Sequence, residues 1–283
     1  MHETIYPYDI AVLLPTRGRT DALSRSIFSL MNRSFNSKKI KIMLGFDEDD
    51  AVGTKYFLET LKPELDRRKI NYEAMVFEPM GYIRLNEYVN HLAKQVTAGW
   101  YMFWNDDAMM ETTNWDSEIL RYNKNFNILA VHTHREHPYS IFPIVPKDWL
   151  DIFGYLSPHQ MSDAWISQIA YMTDIMRRID VWVTHDRFDL TGNNLDETFK
   201  NRPQLEGNPD NPNDFHSERW HAQRMVDTER VSQHMKSRNM DTSWWENVKL
   251  DKQNPWEKLE ANDVNKQMTS TRSKFTMNPS DHG

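Results

Sequence analysis

The chain has no cysteine in its 283 residues. Disulfides, thiolate nucleophiles and cysteine-ligated zinc are therefore outside its chemistry. No apolar run approaches the roughly 20 residues that span a bilayer. The opening Met-His-Glu-Thr-Ile-Tyr-Pro lacks the basic and apolar regions of a signal peptide. Positive charge is in the minority, with 34 Lys and Arg against 41 Asp and Glu and a formal net charge of -7. That balance argues against a broad footprint for nucleic acid and leaves room only for a local basic groove. No internal repeat is visible. Together these absences predict a soluble protein of the cytoplasm, or of the host cytoplasm were the chain viral.

What is present suffices for a core: 39% of residues are hydrophobic and 12% aromatic. The mean hydropathy of -0.76 is low, so a sizeable polar segment is expected as well. The length suits one large domain, or one domain with an appendage.

The first two-thirds alternate strand-like and helix-like segments. Apolar strands are read at Ile10 to Leu14, Ile40 to Phe46, Tyr72 to Phe77 and Tyr101 to Trp104. Helical patterns lie between them at Asp21 to Asn32 (capped by Thr20 or Asp21), Lys55 to Lys69 and Leu85 to Thr97. Further on, Ile128 to His132 and Asp180 to Thr184 read as strands and Asp163 to Met176 as a helix. This order predicts an α/β protein with a mainly parallel sheet and helices on both faces. After about Thr198 the character changes. Asn201 to Phe215 is rich in Asn, Pro and Asp and reads as a linker or surface loop. Ser217 to Arg238 is polar and helix-compatible, with few large apolar residues. From about Ala261 the tail lacks periodicity and reads as disordered. The expected division is 1–200 as the main domain, 201–260 as a polar, partly helical extension near the acceptor side, and 261–283 as the tail.

Three polar clusters fall where strands end: Pro15-Thr16-Arg17-Gly18-Arg19, Asp47-Glu48-Asp49-Asp50 and Asn105-Asp106-Asp107. In a doubly wound sheet such ends converge on one crevice. Arg17 and Arg19 suit phosphate oxygens, because a guanidinium is a planar and always charged fork. Asp47 or Asp49 suits a base or ribose. Asp106 and Asp107 repel each other unless a cation compensates, and they suit Mn²⁺ or Mg²⁺, hard cations that often bridge to substrate phosphates. For any one cluster alone, a solvated turn is the simpler account. Their joint placement at successive strand ends favours a ligand.

These residues carry a resemblance. Ile10 to Arg19 resembles the opening strand and loop of GT-A glycosyltransferases of the family 2 type. The similarity runs through Asp47 to Asp50 and through Gly81-Tyr82-Ile83-Arg84-Leu85-Asn86 to Asn105-Asp106-Asp107, at the place of the Asp-X-Asp motif. It covers about residues 8 to 190 as a pattern. The resemblance implies a GT-A (Rossmann-like) mixed, mainly parallel sheet flanked by helices, with a polar helical C-terminal extension. It also implies a nucleotide-diphosphate sugar donor and a divalent metal. Pro15, Thr16, Arg17 and Arg19 would then line the nucleotide site, with Asp47 or Asp49 near base or ribose. Arg84 and Asn86 would face the nucleotide from the other side, and Asp106 would touch ribose or metal. Asp107 would be the principal metal ligand, joined by Asn105 and by His185, which follows the last strand. Asn105 departs from the motif's first acid, and an amide ligates without charge, which weakens the hold on a metal. The base of an inverting transfer is expected near a helix start downstream, where Ser162-Asp163-Ala164-Trp165 matches. Asp163 is therefore the candidate, its simpler reading being a first-turn acid. Asp116 is the weaker alternative.

Three further features stay open at this level. His132 and His134 share a strand face and invite a zinc reading, though acceptor-side or structural roles fit better. With Asp106, Asp107 and His185 they would make the competing reading, a two-metal hydrolase or phosphodiesterase. A nucleotide-binding relative without catalysis is the third. Arg219, Arg224, Arg230, Lys236 and Arg238 could bind an anionic acceptor, but interleaved acids such as Asp227 and Glu229 point to a solvated helix. Trp149, Trp165 and Trp182 could stack on sugars, core packing being the commoner role. Nothing distinguishes a glycan, lipid, protein or modified nucleobase as acceptor.

Overall fold

Ile10 to Leu14 are all excluded from solvent and form the middle of β1 (Tyr8–Thr16). The computed structural model describes residues 5–133, 140–186 and 213–250. Side chains of a strand alternate faces, and β1 divides accordingly. Ile10, Val12 and Leu14 enter one core and Ala11 and Leu13 enter another, on the opposite side of the sheet. Burial on both faces explains why the sequence reads as an unbroken apolar run.

The other strands are β2 (Ile40–Asp47), β3 (Tyr72–Phe77), β4 (Ala98–Phe103), β5 (Ala108–Met110), β6 (Ile128–Thr133), β7 (Ile144–Pro146) and β8 (Met176–His185). They form one eight-stranded sheet in the order β3-β2-β1-β4-β7-β6-β8-β5. The pairs β1–β2, β1–β4, β2–β3 and β6–β8 are parallel. The short β7 runs antiparallel to β4 and β6, and β5 runs antiparallel to β8. The sheet is thus mixed and mainly parallel, as expected. Strand order reverses at β1, with β2 on one side and β4 on the other. At such a switch point the crevice outside the C-terminal strand ends is open to a ligand.

On one face lie α1 (Thr20–Arg33), α2 (Ala51–Tyr56), α3 (Lys62–Arg68) and α5 (Trp115–Leu120), with a π turn (Phe57–Leu61) joining α2 to α3. They bury Leu23, Ile27 and Leu30, then Phe57, Leu61 and Leu65, then Trp115 and Ile119. On the other lie α4 (Leu85–Lys94), α6 (Lys147–Phe153), α7 (Ser162–Met172), α8 (Glu218–Ser237) and α9 (Ser243–Leu250). Their contribution includes Val89, Leu92, Trp149, Phe153, Trp165, Ile169, Val231 and Met235.

Several details differ from the sequence reading. Arg19, not Thr20 or Asp21, occupies the N-cap of α1, with no side-chain cap bond. β8 begins four residues earlier than expected because it pairs in parallel with β6 from Ile128↔Met176 onward. The helix α8 is not merely solvated: Asp227 is fully buried, and Arg224 is 4% exposed. Asp227 accepts hydrogen bonds from Tyr155 Oη (2.9 Å) and Gln223 Nε2 (3.0 Å). The Arg224 guanidinium lies over the Phe215 and Trp165 rings and donates to Phe215 O at 2.7 Å. Polar residues therefore anchor this helix, which is why its few apolar positions were misleading. Residues 201–212 and the tail from Ala261 lie outside the described residues.

Candidate functional site

The C-terminal ends of β1, β2 and β4 carry the three polar clusters to one edge, since the strands are parallel and adjacent. The link across the switch point is direct: Thr16 Oγ1, closing β1, donates to Asp106 Oδ2 at 2.6 Å. The Asn105–Ala108 turn is closed by Ala108 N to Asn105 O at 3.2 Å. Helix α1 supports it from below. Buried Ser26 donates through Oγ to Asn105 O (3.0 Å) and accepts from Trp104 Nε1 (2.7 Å). Ser29 Oγ accepts from Met110 N at 2.8 Å. These serines were not singled out in the sequence. Their signal is two small polar residues at i, i+3 on the buried face of an amphipathic helix.

The two arginines turn toward acids. Arg19 Nη1 lies 2.8 Å from both Asp106 Oδ1 and Asp107 Oδ2. Arg17 Nη1 donates to Asp47 Oδ2 at 2.7 Å, and the same guanidinium pairs with Asp49. This pairing raises the Arg17 pKa and lowers that of Asp49. Asp50 clamps the loop, its carboxylate accepting from Gly18 N (2.8 Å) and Gly53 N (2.9 Å). Gly18 has φ +70°, a left-handed conformation that suits glycine. Buried Asp47 also receives the Tyr88 hydroxyl, whose oxygen in turn accepts from Met80 N at 2.8 Å. Burial, then the bond to Asp47, pushes the Tyr88 pKa up to about 12. Tyr88 thus ties α4 to the expected nucleoside acids, a link carried by no motif.

The expected metal residues converge. The register Ala108↔His185 between β5 and β8, with Asp186 N bonded to Asp107 O at 2.8 Å, sets His185 beside the turn. His185 Nε2 lies 3.2 Å from Asp107 Oδ1 and 3.3 Å from Asn105 Nδ2. Both ionisable side chains are almost wholly buried. Asp107 Oδ1 and His185 Nδ1 nevertheless make no hydrogen bond, so the Asp107–His185 contact is close without hydrogen-bond alignment. That buried carboxylate oxygen is thus left without a hydrogen-bond donor, while its neighbour Oδ2 is taken by Arg19. Two neighbouring ligands of a hard cation, with bonds of about 2.1 Å at right angles, stand about 3 Å apart. Burial, the largest influence, pushes the Asp106 pKa up to about 6, against the pull of Arg19. Burial works the same way on Asp107, but His185 and Arg19 outweigh it and hold that carboxyl below its ordinary range.

The set fits a cation that also takes oxygens from a ligand, not one caged by protein alone. Among the described residues no three His, Cys, Asp or Glu side chains are arranged around one metal position. Asp107 and His185 offer two donors, Asn105 presents its amide nitrogen to His185, and Asp106 is engaged by Thr16 and Arg19. The two-metal reading finds no support in this geometry. His132 stacks on Trp182 with ring centroids 4.6 Å apart, and His134 lies outside the described residues.

Other expected residues sit farther along the crevice. Pro15 pairs with Gly45 between β1 and β2. Arg84 is exposed and forms a two-bond pair with Glu87, at 2.6 and 2.7 Å. Asn86 is buried, with Nδ2 3.5 Å from Ser157 O. The structure therefore turns Arg84 toward its own helix and Asn86 toward the loop preceding α7. Asp163 is half-buried in the first turn of α7, where Oδ1 accepts from Ala164 N at 2.8 Å. Asp116 is consumed structurally: its two oxygens accept from Phe35 N (2.7 Å) and Asn36 N (2.8 Å). Trp149 and Trp165 are core residues.

No protein-family model and no curated protein sequence matches the chain. Solved structures do. The mannosyltransferase PcManGT from Pyrobaculum calidifontis, in complex with GDP-Man and Mn²⁺, aligns with TM-score 0.53 and 10% identity, over 97% of this chain and 77% of that one. S. aureus TarS 1-349 in complex with UDP-GlcNAc aligns with TM-score 0.51 and 12% identity, over 81% of this chain and 73% of that one. In a longer TarS structure the chain spans 43% of the molecule. At these identities the likeness is one of fold. Taken with the mixed sheet and its switch-point crevice, it identifies the architecture of this chain as the GT-A fold.

Proposed function

We propose that the chain is a glycosyltransferase that moves a sugar from a nucleotide-diphosphate sugar to an acceptor hydroxyl, with inversion and with help from Mn²⁺ or Mg²⁺. One observation carries the reading: buried Asp107 Oδ1, without a hydrogen bond, faces His185 Nε2 at 3.2 Å in the switch-point crevice of a GT-A fold. Asp107 and His185 would hold the cation, with Asn105 offering its amide oxygen. When bound, the cation would supply Lewis-acid neutralisation of the diphosphate as it leaves. Asp47 and Asp49, oriented by Arg17 and Tyr88, would receive the nucleoside, and Thr16 and Asp106 would line the ribose side. Pro15 and Arg19 complete the proposed nucleotide site, and Arg84 and Asn86 would join it by exchanging their contacts with Glu87 and Ser157 O for the ligand. Asp163 would take the proton of the acceptor hydroxyl as its oxygen attacks the anomeric carbon and the bond to diphosphate breaks. Its support is a half-buried carboxylate on the first turn of α7, a helix whose approach loop is fastened to α4 by Asn90 Nδ2 to Ser157 O at 2.7 Å. The acceptor, whether glycan, lipid, protein or modified nucleobase, is left to experiment, as is a cytoplasmic location. No helix among the described residues is long and apolar enough to cross a membrane.

Calorimetry with Mn²⁺ and either UDP or GDP tests the site. We expect metal-linked nucleotide binding that Asp107→Ala abolishes. Metal binding with no preference for a nucleotide would overturn the assignment. Metal-dependent hydrolysis across a panel of nucleotide sugars then identifies the donor without a known acceptor. Full turnover by Asp163→Asn would remove the base assignment and leave the nucleotide site standing.

A further inference from the structure

Arg19 does more than border the proposed nucleotide site, and its side chain makes no cap bond to α1. A single nitrogen, Nη1, bridges Asp106 Oδ1 and Asp107 Oδ2 at 2.8 Å each. Its side chain is 17% exposed, and those of the two acids 7% and 2%. The root of the side chain is fixed, because Arg19 immediately precedes α1 and its carbonyl accepts from Leu23 N at 2.9 Å. Adjacent buried carboxylates do not remain charged together without a compensating cation. Arg19 is that cation, and it belongs to the chain.

Asp107 is divided between two roles. Oδ2 goes to Arg19, while Oδ1 faces His185 without a hydrogen bond. A metal held at Oδ1 would therefore enter beside a fixed guanidinium and not in place of it. We infer that Arg19 is a built-in counter-cation of this corner: it holds Asp106 and Asp107 in register before any metal arrives, and it restrains the affinity with which a divalent ion is then taken up. The second half of this inference rests on the metal reading above; the first half does not. A positive charge a few ångströms from a doubly charged ion weakens its binding, and its removal also frees Oδ2 as a second donor.

The test uses the full chain and Mn²⁺ alone, with no nucleotide. Mn²⁺ binding is followed by calorimetry and by the electron-spin signal of the bound ion, and thermal unfolding is measured in EDTA. Arg19→Met is expected to bind Mn²⁺ about tenfold more tightly or better, each tenfold being about 1.4 kcal/mol. In EDTA it is expected to melt roughly 5 °C lower than the parent chain. Arg19→Lys, which keeps the charge but not the fork, should stay near the parent in affinity. The double variant Arg19→Met/Asp106→Asn needs no bridging cation and should recover most of the lost melting temperature; it also remains measurable if the single variant folds poorly. Affinity in Arg19→Met equal to or weaker than that of the parent overturns the restraint on metal uptake. An unchanged melting temperature in EDTA, or no recovery in the double variant, overturns the counter-cation role. Mn²⁺ binding that survives Asp107→Ala would instead sink the metal reading, and the unfolding data would still decide the counter-cation role.

Discussion

His159 gives the sharpest prediction about stability. It lies 1% exposed between α7 and α8, its ring parallel to Trp165 and edge-on to Phe215 and Trp220. Both ring nitrogens are committed: Nε2 lies 2.8 Å from Asn213 O, and Nδ1 accepts from Met161 N at 3.1 Å. This arrangement requires the neutral ring, because a proton on Nδ1 would point at the Met161 amide hydrogen. Burial, the main cause, lowers the pKa to about 4, with Arg224 and His216 acting in the same direction against the Asn213 carbonyl and Asp214. In the unfolded chain the ring titrates near its ordinary value of 6.5. As pH falls below that value, the unfolded state takes up the proton first. The stabilising contribution is therefore complete above 6.5 and is lost as pH falls through about 4. The gap corresponds to about 3 kcal/mol, a large share of the roughly 5–15 kcal/mol that holds a domain folded. Urea unfolding at several pH values between 7 and 4, followed by tryptophan fluorescence, measures it. His159→Gln should start less stable at pH 7 and lose less on acidification. His221 and His234 also have lowered pKa values, chiefly through burial, so the difference between parent and variant is the quantity to read. Parallel losses in the two proteins would refute the reasoning.

Asp116→Ala should cost about 1–2 kcal/mol in stability, since it removes the buried carboxylate that accepts from the Phe35 and Asn36 N–H groups. Nucleotide and Mn²⁺ binding, measured by calorimetry, should be unaffected. Ser26→Ala removes one bond to Asn105 O and one from Trp104 Nε1. It should lower stability by about 1–2 kcal/mol and weaken Mn²⁺ binding as well, because it loosens the turn that carries Asp107. Unchanged metal affinity would show that α1 does not position the turn.

The first half of the fold was legible because β1, β2 and β4 are buried on both faces, the edge strand β3 is bounded by turns, and each helix has one apolar stripe. β3 matched its expected bounds residue for residue. The short β5 and β7 and the short α5 and α6 were not foreseen. Three residues such as Ile144 to Pro146 carry no period of their own, and they become a strand because β4 and β6 offer edges on either side. At the site, the convergence of the three clusters followed from parallel topology. The partners of the arginines did not, because Arg19 and Asp106 are 87 positions apart and local pattern says nothing about such a pair. The same limit hid the burial of Asp227, whose partner Tyr155 lies 72 positions away.

The pairing of β5 with β8 also bears on the order in which this molecule is built. Asn105 and His185 stand 80 positions apart, and only the register Ala108↔His185 brings them together. A chain growing from its N-terminus has β1, β2, β4 and the Asn-Asp-Asp turn long before the histidine is synthesised. During that interval Arg19 is already present to hold the acid pair. The turn gains its nitrogen neighbour only when the eighth strand docks, so capture of a metal ion there would report that the sheet has been completed.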